Sequence, residues 1–155
     1  MKIPKETLSL AGEFAVASEL CRRGVYAQLT LGNRKRTDLL IESDARMLRI
    51  QVKSKQTPTW PAVKGITGDD IYLVFVDFHK MDVLERPDFY VLSAKDWARF
   101  VARELVDTGL VSQGKVKLSG ENVPTYRDGW LGMAITAKQL ADFKEEWHKI
   151  EQRLV

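Results

Sequence analysis

A chain of 155 residues, 45% hydrophobic and 29% charged, has the size and composition of one globular domain with its own core. Its single cysteine excludes an intrachain disulfide and a multi-cysteine zinc site, and only two histidines accompany it. Any metal must therefore rest mainly on oxygen, which points to magnesium, manganese or calcium.

The net charge of +3 is unevenly spread. Arg22 to Lys64 carries ten bases against three acids, a local +7, and leaves −4 for the remainder. That split suits a basic face meeting a polyanion, and it also suits a solvated surface of uneven charge. No apolar run approaches the roughly 20 residues of a membrane helix. The N-terminus lacks the pattern of a secretory leader, so a cytoplasmic location is expected.

Taken in chain order, Lys5 to Arg23 reads as a helix, with Pro4 near its start and Gly24 after its end. Leu8, Ala11, Ala15 and Leu20 mark one apolar side; Leu10, Phe14, Ala17 and Cys21 mark another. Such a helix is expected to pack on more than one partner. Val25 to Leu31 reads as a strand, and Gly32-Asn33 begins a turn carrying Arg34, Lys35 and Arg36. Asp38 to Glu42 is a short strand, Ser43 to Arg46 a turn, and Met47 to Lys55 an alternating strand. Thr57 to Asp70 reads as a loop, Ile71 to Phe78 as a central apolar strand, and Asp88 to Leu92 as another strand. Ser93 opens a helix with Asp96 as the reciprocal capping residue and Trp97, Phe100, Val101 and Leu105 as its buried stripe. Thr108 to Arg127 is a polar region with a short hairpin near Val116. Thr136 caps a last helix with Gln139, buried through Leu140, Phe143, Trp147, Ile150 and Leu154. The order predicts one α/β domain over residues 1–155, a mixed sheet with helices packed on it.

A regular hairpin closed by Ser43–Arg46 pairs Glu42 with Met47 and sets Asp38 opposite Gln51. Opposed residues share a face, and Lys53 lies two positions further on it. A carboxylate, an amide oxygen and an ammonium then meet, with the Val52 carbonyl as a further oxygen. Around a divalent cation this set suits phosphodiester hydrolysis: Asp38, Gln51 and Val52 as ligands, and Lys53 orienting or deprotonating water or stabilising developing charge. Lys55, one step out on the same face, is expected at phosphate, and so are Arg34, Lys35 and Arg36. The same pattern also fits an ordinary exposed strand face and a solvated turn. Trp60 could stack on a base, but a tryptophan between prolines is expected in the core. Trp97, Trp130 and Trp147 are likewise assigned to packing.

The stretch Thr37-Asp38-Leu39-Leu40-Ile41, followed by Ile50-Gln51-Val52-Lys53-Ser54, resembles the split D…(D/E/Q)xK motif of PD-(D/E)xK nucleases. The preceding helix, Gly12-Glu13-Phe14-Ala15-Val16 through Leu20 to Gly24, is similar to the first helix of that superfamily. Holliday-junction resolvases and some intron-encoded homing endonucleases share this layout. The pattern through Trp60-Pro61, Tyr72–Val76 and Asp88–Val91 is similar to a largely uncharacterised bacterial group within it.

The resemblance implies a restriction-endonuclease-like α/β fold with a central mixed five-stranded sheet flanked by helices. It implies Glu13 as a further metal-site carboxylate, Mg²⁺ or Mn²⁺ as cofactor, DNA as partner, and compatibility with a homodimer. Gln51 departs from the usual Glu or Asp and removes a charge from the metal site. The expected function is a metal-dependent endonuclease on DNA. The alternative is a catalytically silent nucleic-acid-binding module on the same fold.

Overall fold

The computed structural model describes residues 2–30 and 37–155. Helix α1 (Lys5–Arg22) leads into strands β1 (Tyr26–Leu29), β2 (Leu39–Glu42) and β3 (Met47–Lys55), a three-stranded antiparallel meander. After β4 (Thr59–Val63), β5 (Ile71–Asp77) runs parallel to β3, and β6 (Asp88–Ser93) runs antiparallel to β5. The result is a five-stranded mixed sheet in the order β1-β2-β3-β5-β6, flanked by helices. Every residue of β5 is buried, as expected for a strand covered on both faces.

The two faces carry separate cores. Leu39, Ile41, Leu48, Ile50, Val74 and Val91 meet α1 and α3 (His148–Leu154) through Val16, Leu20, Trp147 and Ile150. Leu73, Phe75, Tyr90 and Leu92 meet α2 (Ala94–Val101) and two smaller sheets. One of these pairs β7 (Val116–Leu118) with β8 (Pro124–Tyr126), and the other pairs β4 with β9 (Met133–Thr136). Ser93 and Asp96 form the expected capping box on α2, and Trp97, Phe100, Val101 and Leu105 are buried.

Four local expectations are revised. The Thr57–Asp70 loop contains β4, whose partner β9 lies far away in sequence and leaves no local sign. The last helix is broken. A 3₁₀ turn (Lys138–Phe143) follows the Thr136–Gln139 cap, and Glu145, at φ 56°, then turns the chain into α3. The break lets Lys144 and Glu145 pair with the free edge of β6, through the Tyr90–Lys144 bridge and a 3.0 Å bond from Glu145 N to Phe89 O. On α1 the second apolar side is covered only at Ala17, and Leu10 and Phe14 are 46% and 58% exposed. Trp60, Trp97 and Trp147 are core residues, but Trp130 is 58% exposed. Among the described residues, no helix is long and apolar enough to cross a membrane.

Candidate active site

The β2–β3 hairpin has the predicted register from Glu42↔Met47 to Leu39↔Ile50. One residue further the ladder changes. Asp38 N donates to Ile50 O at 2.9 Å, and the Asp38 Oδ2 atom accepts the Val52 N–H at 2.7 Å. The carboxylate thus occupies the position of the next strand carbonyl. From the other side Thr30 N donates to Asp38 O at 3.0 Å, and Thr30 Oγ1 donates to Thr37 O at 2.8 Å. Both backbone and side chain of Asp38 are therefore held. The N–H and carbonyl of a strand residue point to the same side, so the Val52 carbonyl is turned toward Asp38 as well.

Gln51 and Lys53 stand beside Leu73 and Phe75 in the parallel ladder, at the margin of the core. That position explains their burial. Gln51 Oε1 is inaccessible and has no hydrogen-bond partner. The Lys53 ammonium has no hydrogen bond or ion pair among the described residues. Burial pushes its pKa down; the charge of Asp38 opposes that shift, and those of Lys64 and Lys5 reinforce it. Burial raises the Asp38 pKa against the Val52 hydrogen bond and the Lys53 charge.

Glu13 arrives from α1. The helix can approach β3 because position 12 is glycine: a Cβ there would lie 1.8 Å from Ser54 Oγ and 3.1 Å from Ser54 Cβ. Burial raises the Glu13 pKa, and the Asp38 charge raises it further. The site thus holds two carboxyl groups with raised pKa and a buried amide oxygen lacking a donor. A hard divalent cation fits this shortage of positive charge and this all-oxygen set. Among the described residues, no group of three His, Cys, Asp or Glu side chains converges to hold a metal. Gln51 and a backbone carbonyl would have to complete the shell.

Lys55 departs from its expected place at phosphate. It shares the strand face, but its side chain is buried, 2.7 Å from Asp77 Oδ1 and 3.1 Å from Thr57 O, and its ammonium lies over the Trp60 ring at 4.6 Å. Trp60 itself packs edge-on against Phe75 and Tyr90. Arg34, Lys35 and Arg36 lie outside the described residues. In place of Lys55 the fold brings two exposed cations to Lys53. Lys5 comes from the first turn of α1, which is pinned to the end of β3 by Ile3 N and O bonding Gln56 at 2.9 and 2.6 Å. Lys64 follows β4. Nothing local in the sequence announces either, since both arrive through tertiary packing.

No family model matches the chain, and no curated relative matches it in sequence. Among solved structures, one described as a bacterial homing endonuclease aligns with a TM-score of 0.50 and 19% identity, over 97% of this chain and 94% of that chain. The likeness is one of fold: a mixed α/β architecture shared with that structure.

Proposed function

We propose that the chain is a single-domain, metal-dependent endonuclease of the PD-(D/E)xK type that hydrolyses DNA phosphodiester bonds. The observation that carries the reading is the unpartnered, buried Gln51 Oε1, two positions along β3 from the unpaired Lys53 ammonium, on which the Asp38 charge acts. The fold shared with a homing endonuclease supports the same class of chemistry.

The Glu13, Asp38 and Gln51 side chains and the Val52 carbonyl would hold Mg²⁺ or Mn²⁺. When bound, the cation supplies electrophilic activation of the phosphate and acidifies a water. Lys53 binds its proton less tightly than an ordinary lysine, so it can orient or deprotonate the attacking water. In its charged form it faces the negative charge that grows on phosphorus-bound oxygen. Lys5 and Lys64 hold the adjacent backbone phosphates by charge. A cytoplasmic setting and a homodimer cutting both strands belong to the same proposal.

The test uses labelled linear, nicked and four-way-junction DNA with Mg²⁺, Mn²⁺ or EDTA. The reading requires metal-dependent cuts that vanish in Asp38→Ala and Lys53→Ala. The neutral Gln51 favours one competitor, a silent DNA-binding module. Salt-sensitive binding with no cuts under any metal would decide for it.

A further inference from the structure

Three of the four tryptophans are fully buried: Trp60, Trp97 and Trp147 are 1%, 0% and 0% exposed. Trp130 is 58% exposed and Leu131 beside it 47%. A large apolar side chain displayed in this way is informative when its backbone is fixed. Here it is. Tyr126 N donates to Trp130 O at 2.9 Å, Gly132 N to Pro124 O at 2.8 Å, and Trp130 N to Asp128 Oδ1 at 3.0 Å. Gly129 supplies the left-handed residue of the turn at φ 85°. A Thr125–Leu131 bridge then lays the segment after the turn along β8. The ring is therefore held ready for contact and loses little freedom when a partner covers it.

The turn is also anchored beside the candidate active site. A Cβ at Gly132 would lie 2.5 Å from Ala62 C and 2.6 Å from Ala62 O, so the two backbones touch. Val63, the last residue of β4, pairs with Met133, and Lys64, whose charge acts on Lys53, follows it.

The hairpin that carries Trp130 also carries cations. Arg127 N bonds Lys115 O at 3.2 Å, which sets those two bases side by side, and Lys117 stands opposite Thr125. Lys115, Lys117 and Arg127 have no ion-pair partner among the described residues. The segment's acids are Glu121 and Asp128, and the Asp128 carboxylate is engaged by the backbone of Trp130. An apolar protein partner on this patch would strip water from cations without pairing them. A nucleic acid strand offers a base for the ring and phosphates for the cations.

We propose that Trp130 is a stacking platform for an unpaired nucleobase of DNA, with Lys64, Lys115, Lys117 and Arg127 neutralising the flanking phosphates. The inference shares with the nuclease reading the premise of a DNA partner. It goes further in assigning the preference: single-stranded, flapped or junction DNA over intact duplex.

Because the other tryptophans are buried, the emission reachable by acrylamide is that of Trp130. A short single-stranded oligothymidylate is titrated into the full-length protein in EDTA, followed by tryptophan emission and by anisotropy of the labelled oligonucleotide, with the matching blunt duplex in parallel. Quenching and loss of acrylamide access should track single-strand binding, and the duplex should bind more weakly. Trp130→Ala should bind the single strand about 5- to 100-fold more weakly, and Trp130→Phe should keep most of the affinity. Both variants should keep the wild-type thermal midpoint. Undiminished affinity in Trp130→Ala, or unquenched emission at saturation, would overturn the proposal. So would an emission change with protein concentration and no DNA, accompanied by a doubling of mass, because the ring would then be a contact between copies. Readings in EDTA are independent of cleavage, so this proposal and the nuclease reading can fail separately.

Discussion

The Asp38 carboxylate accepts the backbone N–H of Val52 at 2.7 Å, in the position a strand carbonyl would fill. One side chain therefore closes the hairpin and supplies the anionic charge of the candidate site. Asp38→Asn keeps the acceptor and removes the charge. It should fold with unchanged or slightly higher stability, since burial disfavours the ionised form, and cut DNA at least about 100-fold more slowly. Asp38→Ala should in addition lose about 1–3 kcal/mol, because the Val52 N–H is left without a partner. Paired urea denaturation and cleavage rates check both.

Gln51→Glu restores the charge that the resemblance leads one to expect. The metal concentration for half-maximal effect should fall by about tenfold, and the metal-free variant should be less stable than the parent because three carboxyl groups then crowd together. Thermal midpoints across a Mn²⁺ titration give both quantities. A midpoint indifferent to Mn²⁺ in parent and variant would remove the metal from the proposal.

The Gly12–Ser54 contact sets how closely α1 approaches β3. Gly12→Ala should push the helix outward, lower stability and reduce cleavage by displacing Glu13. Ser54→Ala removes a buried hydroxyl that has no partner, and it should be neutral or stabilising by about 1 kcal/mol. In the double variant, the loss from Gly12→Ala should shrink. A double-mutant cycle with no coupling would contradict the close approach.

Lys55 and Lys64 should separate by role. Lys55→Met strands Asp77 in a buried position and should cost about 3–5 kcal/mol, with little change in the salt dependence of DNA binding. Lys64→Ala and Lys5→Ala should leave stability unchanged and each lower the slope of log affinity against log salt by about one. Binding isotherms at several salt concentrations, alongside unfolding curves, make the comparison.

Acid should unfold the chain through the Arg86 cluster. The Arg86 hydrogen bond, against burial and aided by the charges of Arg86, Arg22 and Arg23, holds Glu19 below its ordinary value. Glu145 is also lowered: burial opposes the shift, but hydrogen bonds from Arg86 and the Trp147 indole outweigh it. A carboxyl group with lowered folded pKa stabilises above its unfolded value, here 4.5, and loses that contribution as pH falls through the folded value. Stability should therefore hold above pH 5 and decline below about 4.5. Arg86→Gln should lower stability above pH 5 and flatten the acid decline, because both carboxyl groups then lose the hydrogen bonds that hold them below the unfolded value, as read from urea midpoints against pH.

The legible parts of this molecule are the local ones. Alternation in Met47–Lys55 and a four-residue turn were enough to give the hairpin register, and with it the shared face of Gln51 and Lys53. Ser93 and Asp96 announced their helix because a capping box is a relation over three residues. The errors arose where distant chain decides. Lys55 obeys the same alternation as Lys53, but Trp60 and Asp77 cover it at that rung. Leu10 and Phe14 match helical spacing, but no element lies over them among the described residues. Trp130 reads as an ordinary aromatic core residue, and only the β8–β9 turn reveals that it faces water.

The pairing of Trp60 with Ile135 joins strands about 75 positions apart, whereas Asp38, Gln51 and Lys53 fall within one hairpin. Closing so long a segment costs more chain entropy than closing a hairpin, by about 2–3 kcal/mol, so the two parts should mature at different times. In refolding, the hairpin bearing Asp38, Gln51 and Lys53 should gain exchange protection first, and the wall bearing Lys64 and Trp130 should consolidate later.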